Sequence, residues 1–123
     1  MIENTAASIT SAARRREIAM TVERTIDDVA PYAEKSEIMG ASTWMLHDRV
    51  VSLVPLGGRS QLHFWQGEVL SDRFPGMLKG QGDGAPRYVP LTSMLDVDGD
   101  VKELIREAFD LKVKELAAED AAV

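Results

Sequence analysis

Val50-Val51-Ser52-Leu53-Val54-Pro55-Leu56-Gly57-Gly58-Arg59-Ser60-Gln61-Leu62-His63-Phe64-Trp65 is the stretch that decides the fold. Its first six residues are mostly β-branched or apolar, side chains that suit a pleated strand. Gly57-Gly58 supplies positive φ without steric cost and reads as a hairpin turn. From Ser60 the pattern alternates, with Leu62 and Phe64 on one face and Gln61, His63 and Trp65 on the other. Trp65 is thereby predicted to point away from whatever covers Phe64, which marks either a pocket or a partner surface.

Working outward towards the N-terminus, Thr43 to His47 reads as a preceding strand and Asp48-Arg49 as the turn between them, so the centre is a β-meander. A short strand is also expected near Glu37 to Met39. Before it, Ile18, Val22, Ile26 and Val29 recur at helical spacing, with Glu17, Glu23, Arg24, Asp27 and Asp28 between them. That is an amphipathic helix starting at Ser11. Pro31 ends it, with a short second turn expected to Lys35.

Towards the C-terminus, Pro75, Gly76, Gly80, Gly82 and Gly84 break the segment from Gly67 to Pro86. A helical turn is expected at Phe74 to Leu78 and a flexible loop after it. Arg87 to Leu91 reads as a last strand, placed at an edge by Pro90. Asp100 and Glu103 have capping-box spacing, and Val101, Leu104, Ile105, Ala108, Leu111 and Lys112 follow as a helical stripe. Lys112 can lay its stem along that stripe. The prediction is an α+β fold, a β-meander plus one later strand in an antiparallel sheet, packed by N- and C-terminal helices. One domain occupies residues 11–113, with a disordered tail at 1–10 and a fraying tail at 114–123.

A length of 123 residues with 45% apolar side chains is enough for one real core without disulfides. The absence of cysteine excludes disulfides, thiolate nucleophiles and cysteine-ligated zinc or iron–sulfur sites. A net charge of −6 opposes nucleic-acid and anionic-membrane binding and suits a cation or a basic partner. No apolar run has the length of a membrane span. Arg14, Arg15 and Arg16 follow the small-residue stretch, where a signal peptide would have basic residues first. A cytoplasmic chain, monomeric or weakly dimeric, is expected.

Four segments taken together resemble the YdhG-like family of domains of unknown function. They are Leu62 to Asp72, Met77 to Gly82, Arg87-Tyr88-Val89-Pro90-Leu91, and Asp98 to Ala108. The family pattern is a strand ending in an aromatic and G-x-x-L-x-D, then LL-x-G-x-G, a strand opening with Arg or Lys, and a helix of the LI-x-x-A type. The resemblance covers residues 15 to 113. Two departures stand out: Met39-Gly40-Ala41 replaces an aromatic-Gly-Pro or aromatic-Gly-Asn step, and Pro55-Leu56-Gly57-Gly58-Arg59 replaces a lysine- and histidine-rich strand. If those positions line a site, that site is altered in this chain. The resemblance implies an α+β fold similar to frataxin, and some relatives are described as iron chaperones.

Candidate chemistry falls into four groups. Glu23 and Asp27, four residues apart on the first helix, could share a hard cation such as Fe²⁺. Beyond that possible iron, no cofactor is expected. His47 and His63 lie on neighbouring predicted strands but lack a ligand-type spacing. Trp44 and Trp65 with Arg87 and Tyr88 could hold a small anionic ligand. The loop Lys79 to Gly84 is glycine-rich but opens no helix, so it reads as a connector and not as a phosphate cradle. No catalytic triad, nucleophile elbow or zinc-protease motif occurs, so catalysis is not favoured. The reading is a binding module for a small ligand or a protein partner. The alternatives are an intracellular iron-binding chaperone using acidic side chains, and a small enzyme of unknown chemistry.

Overall fold

The hairpin that centres the sequence is also the centre of the sheet. The computed structural model describes residues 2–121, with side chains from Thr10 to Ala121. Helix α1 (Ile2–Val29) leads into β1 (Glu34–Ile38), β2 (Ala41–Leu46), β3 (Asp48–Leu56) and β4 (Arg59–Phe64). Helix α2 (Gly67–Arg73), strand β5 (Arg87–Leu91), a 3₁₀ turn (Met94–Asp96) and helix α3 (Gly99–Ala121) follow. All five strands pair antiparallel in chain order, β1-β2-β3-β4-β5. The fold is α+β. No helix among the described residues is long and apolar enough to cross a membrane.

Helices α1 and α3 pack against each other and against the same face of the sheet. Register decides which side chains they cover. Trp44, Val51 and Phe64 are cross-strand partners, as are Leu53, Leu62 and Val89, and all six are buried. Ile18, Val22 and Ile26 of α1 and Val101, Leu104, Ile105, Ala108 and Phe109 of α3 complete this core. Each large apolar side chain taken from water in this way contributes about 1.5–3 kcal/mol.

Several local expectations are corrected. Helix α1 extends back to Ile2 and α3 forward to Ala121, across most of the segments read as tails. Neither segment contains a proline or glycine to stop a helix; Met1 and residues 122–123 lie outside the described residues. The β2–β3 turn is at His47, φ 70°, and not at Asp48-Arg49. The helical turn expected at Phe74 to Leu78 is instead α2, one segment earlier, because Pro75 cannot continue a helix. The cap of α3 is Asp98, whose carboxylate accepts from the Val101 N–H at 3.0 Å, and not Asp100. Phe109 is fully buried where Leu111 packs only in part. Pro31 does end the first helix, but a β1 longer than expected follows it directly.

Strand β5 lies at an edge. Tyr88 bonds outward to Lys79 through both its N–H and its C=O, at 2.9 and 2.8 Å. Pro90, two residues on, turns its missing donor to that same outer side, where no strand follows.

Lys112 fastens the far end of the sheet to α3. It is 5% exposed, as the amphipathic reading allows, and donates to Asp48 at 3.1 Å and Glu115 at 3.3 Å. Burial works to lower its pKa, but the bonds to Asp48 and Glu115 outweigh it and hold the ammonium above its ordinary value. Lys112 in turn holds the Asp48 carboxyl below its ordinary value.

Candidate functional site

The face of the sheet opposite the helices carries the site. Thr43 and Ser52 are cross-strand partners there, and Ser52 is followed across the sheet by His63 and Tyr88. Alternation places Thr43, Ser52 and His63 opposite Trp44, Val51 and Phe64. Thr43 and Ser52 are 1% and 4% exposed although no helix covers them. The β1–β2 hairpin, the Trp65 ring and Pro86 surround them, enclosing a cavity of about 360 Å³. Its walls include Ile38, Ala41, Val54 and Pro55, and its volume lies in the range of small-molecule pockets.

Trp65 is fixed at the edge of this cavity by three contacts. Its backbone N–H donates to the Val50 carbonyl at 3.1 Å. Its indole Nε1–H donates to Ser52 Oγ at 2.9 Å, and Ser52 Oγ is also 2.9 Å from Thr43 Oγ1. The Arg49 guanidinium lies 3.9 Å from the Trp65 ring centroid. Arg49 is exposed and makes no ion pair among the described residues, so its donors face solvent at the cavity. A fixed aromatic wall thus stands beside an unspent cation.

His63 supplies a third polar group. Its ring stacks on Tyr88 at 5.3 Å between centroids and its Nε2 is 3.0 Å from Gln61 Oε1. Burial lowers its pKa, which favours the neutral imidazole. Ser52 and His63 are cross-strand partners, but Ser52 Oγ is engaged by Trp65 and Thr43, and His63 Nε2 by Gln61. They are not assembled as nucleophile and base.

The rim is strained. The β1–β2 turn consists of Met39 at φ 53° and Gly40 at φ 80°, both left-handed. Glycine takes this conformation freely, whereas methionine carries a steric cost. Met39 is nevertheless 99% exposed. Met39, Gly40, Ala41 and Pro55, positions where the chain departs from the YdhG-like pattern, all line the cavity.

The four residues grouped from the sequence separate. Trp65 lines the cavity, and Tyr88 backs it through His63. Trp44 is 2% exposed on the helix-covered face, because it pairs with Val51. Arg87 pairs with Phe64 and turns to the α2–β5 loop, donating to the carbonyls of Gly82 at 3.1 Å and Ala85 at 2.9 Å. It also lies 3.8 Å from Glu68, so it closes a loop and does not face the cavity. Arg49, Thr43 and Ser52 take the places that Trp44 and Arg87 do not fill.

The other candidates do not converge. Glu23 is ion-paired with Lys35 at 3.3 Å, and Asp27 is exposed one turn further on. Among the described residues, no group of three or more His, Cys, Asp or Glu side chains gathers to hold a metal ion. His47 sits on the β2–β3 turn while His63 faces the cavity mid-strand. The loop from Lys79 to Gly84 connects α2 to β5 and opens no helix. Compared with protein-family models, with curated proteins and with solved structures, the chain has no match in any of the three.

Proposed function

We propose that this chain is a small-ligand binding module whose site is the cavity on the helix-free face. One observation carries the reading: an indole held rigid by Ser52 and Thr43, with an unpaired guanidinium stacked on it, at the edge of an apolar-walled cavity. The complementary ligand has a flat apolar body and a carboxylate. The body packs between Trp65 and the Ile38–Ala41 hairpin, and the carboxylate meets Arg49. Pre-set side chains lower the ordering cost of binding, which supports recognition more than chemistry.

Fluorescence tests this directly. Trp44→Phe leaves Trp65 as the one tryptophan, read by selective tryptophan excitation. Titration with small aromatic carboxylates is expected to change its emission saturably. Arg49→Met is expected to weaken the carboxylates about ten-fold, the equivalent of about 1.4 kcal/mol, and to leave their neutral amides unaffected. No saturable change with any of these acids, together with no added organic mass on the gently isolated protein by native mass spectrometry, would overturn the reading.

A further inference from the structure

Arg14, Arg15 and Arg16 form a run of cations in a chain of net charge −6, and the cavity just described makes no use of them. They lie where α1 passes the β3–β4 turn. Gly58 sits so close to α1 that a Cβ there would come within 3.1 Å of Ser11 Oγ and 3.7 Å of an Arg14 nitrogen. Arg15 Nη1 donates to the Gly57 carbonyl. That bond uses one of the five guanidinium donors and fixes the direction of the rest.

A second cavity, of about 300 Å³, opens between α1 and the end of the sheet. Arg15 and Arg16 line it beside the small residues Ala12, Ala19 and Gly40, with Ser42 and Ser60. Ser60 is 2% exposed, and its hydroxyl has no hydrogen-bond partner among the described residues. That hydroxyl keeps a little accessible surface, since among the described residues the fully buried polar side-chain atom without a partner is Gln66 Oε1 and not Ser60 Oγ. The Ser42 hydroxyl is already donated to Glu37 at 2.7 Å, so Ser60 is the free donor and Glu37 the one carboxylate bonded to the lining. None of the three arginines is ion-paired with a described carboxylate.

We infer that this second cavity is an oxyanion site, built for a phosphate-type group held by Arg15, Arg16 and Ser60. Two guanidinium forks and a hydroxyl are the donor set that binds such a group through charge-assisted hydrogen bonds. Small side chains leave room for the organic part of a phosphate monoester. Free phosphate and a phosphate monoester present the same terminal oxygens, and the two are separated by comparing them.

Backbone amide NMR at constant ionic strength tests the assignment, with inorganic phosphate, phenyl phosphate and chloride as probes. Saturable shifts are expected at Arg15, Arg16, Gly40 and Ser60 with both phosphates and not with chloride. Tighter binding of phenyl phosphate would assign the site to an ester, and equal binding to the free anion. Arg16→Gln is expected to weaken phosphate about ten-fold. Ser60→Ala is expected to weaken it about three-fold without lowering thermal stability, because that hydroxyl has no partner to lose. Shifts that chloride reproduces, or phosphate affinity unchanged in both variants, would overturn the site. Arg49→Met is expected to leave phosphate affinity unchanged, so failure here is distinguishable from failure of the aromatic-carboxylate reading.

Discussion

Replacing Ser52 by Ala removes one oxygen, leaving the Trp65 indole N–H without its acceptor and the Thr43 hydroxyl without its cross-strand partner. Ser52 is 4% exposed, and its Oγ accepts from Trp65 Nε1 at 2.9 Å and is hydrogen-bonded to Thr43 Oγ1 at 2.9 Å. Thr43 has a fallback in the Ala41 carbonyl at 3.4 Å, a long contact. The indole N–H has no second acceptor among the described residues. An unpaired buried donor costs about 1–3 kcal/mol, and because Trp65 is only partly buried the low end applies. The lost hydroxyl pair adds about 1 kcal/mol, for a total of about 2 kcal/mol. In a chain of 123 residues that lowers the melting temperature by roughly 8 °C.

Urea unfolding followed by circular dichroism reads this cost, provided the slope m is unchanged. A cycle with Trp65→Phe, which has no N–H to strand, isolates the indole bond. In that background Ser52→Ala is expected to cost about 1 kcal/mol less. The same loss in both backgrounds would show that Ser52 does not hold Trp65. A loss under about 0.5 kcal/mol would show that water replaces the hydroxyl and that the wall of the site is not fixed.

Met39→Asn is expected to raise stability by about 1 kcal/mol, since asparagine tolerates the left-handed conformation and Met39 is 99% exposed; a lower urea midpoint would mean that Met39 packs on the rim. Gly67→Ala is expected to cost about 2–3 kcal/mol, because its Cβ would lie 2.5 Å from the Arg87 backbone nitrogen. An unchanged melting temperature would show that β5 yields freely there. Acid is expected to destabilise the fold through Asp28 and Asp48, held low chiefly by bonds from Lys102 and Lys112, and Asp96, held low chiefly by the Thr92 N–H. Their contribution is complete above the unfolded value of about 4 and is lost as pH falls through their lower folded values, so Asp48→Asn should flatten the acid limb of stability against pH.

Where burial imprints a local pattern, the sequence was enough to find the element. Leu62 and Phe64 against Gln61 and His63, or Ile18, Val22 and Ile26 along α1, record one covered face at short range. Gly57, at φ 65°, announced its turn, whereas nothing in Leu46-His47-Asp48 says that histidine takes φ 70°. Strand β1 shows the opposite limit. Glu34, Lys35, Ser36 and Glu37 are all exposed, so no apolar alternation marks them. This strand exists because β2 offers it an edge, and its charges protect that edge from further pairing.

The site was half legible for a related reason. Parity alone places Trp65 opposite Phe64, and its side chain is found there. Parity also puts Arg49 with Val51 and Leu53, which would send it under the helices. A bulge reverses that assignment. Trp44 pairs with Val51, but Met45 pairs with Arg49, leaving Val50 as the extra residue. Beyond that step every β3 side chain changes face, as any one-residue slip in a strand requires. Arg49 therefore joins Met45 on the helix-free side, and Val50 turns its carbonyl to the Trp65 N–H at 3.1 Å. The extra residue fastens Trp65 through the backbone, so the wall of the proposed site depends on a single irregularity between β2 and β3. Deleting Val50 would restore regular pairing and remove the carbonyl that Trp65 bonds, while strict alternation would keep Arg49 beside Met45 on the helix-free face.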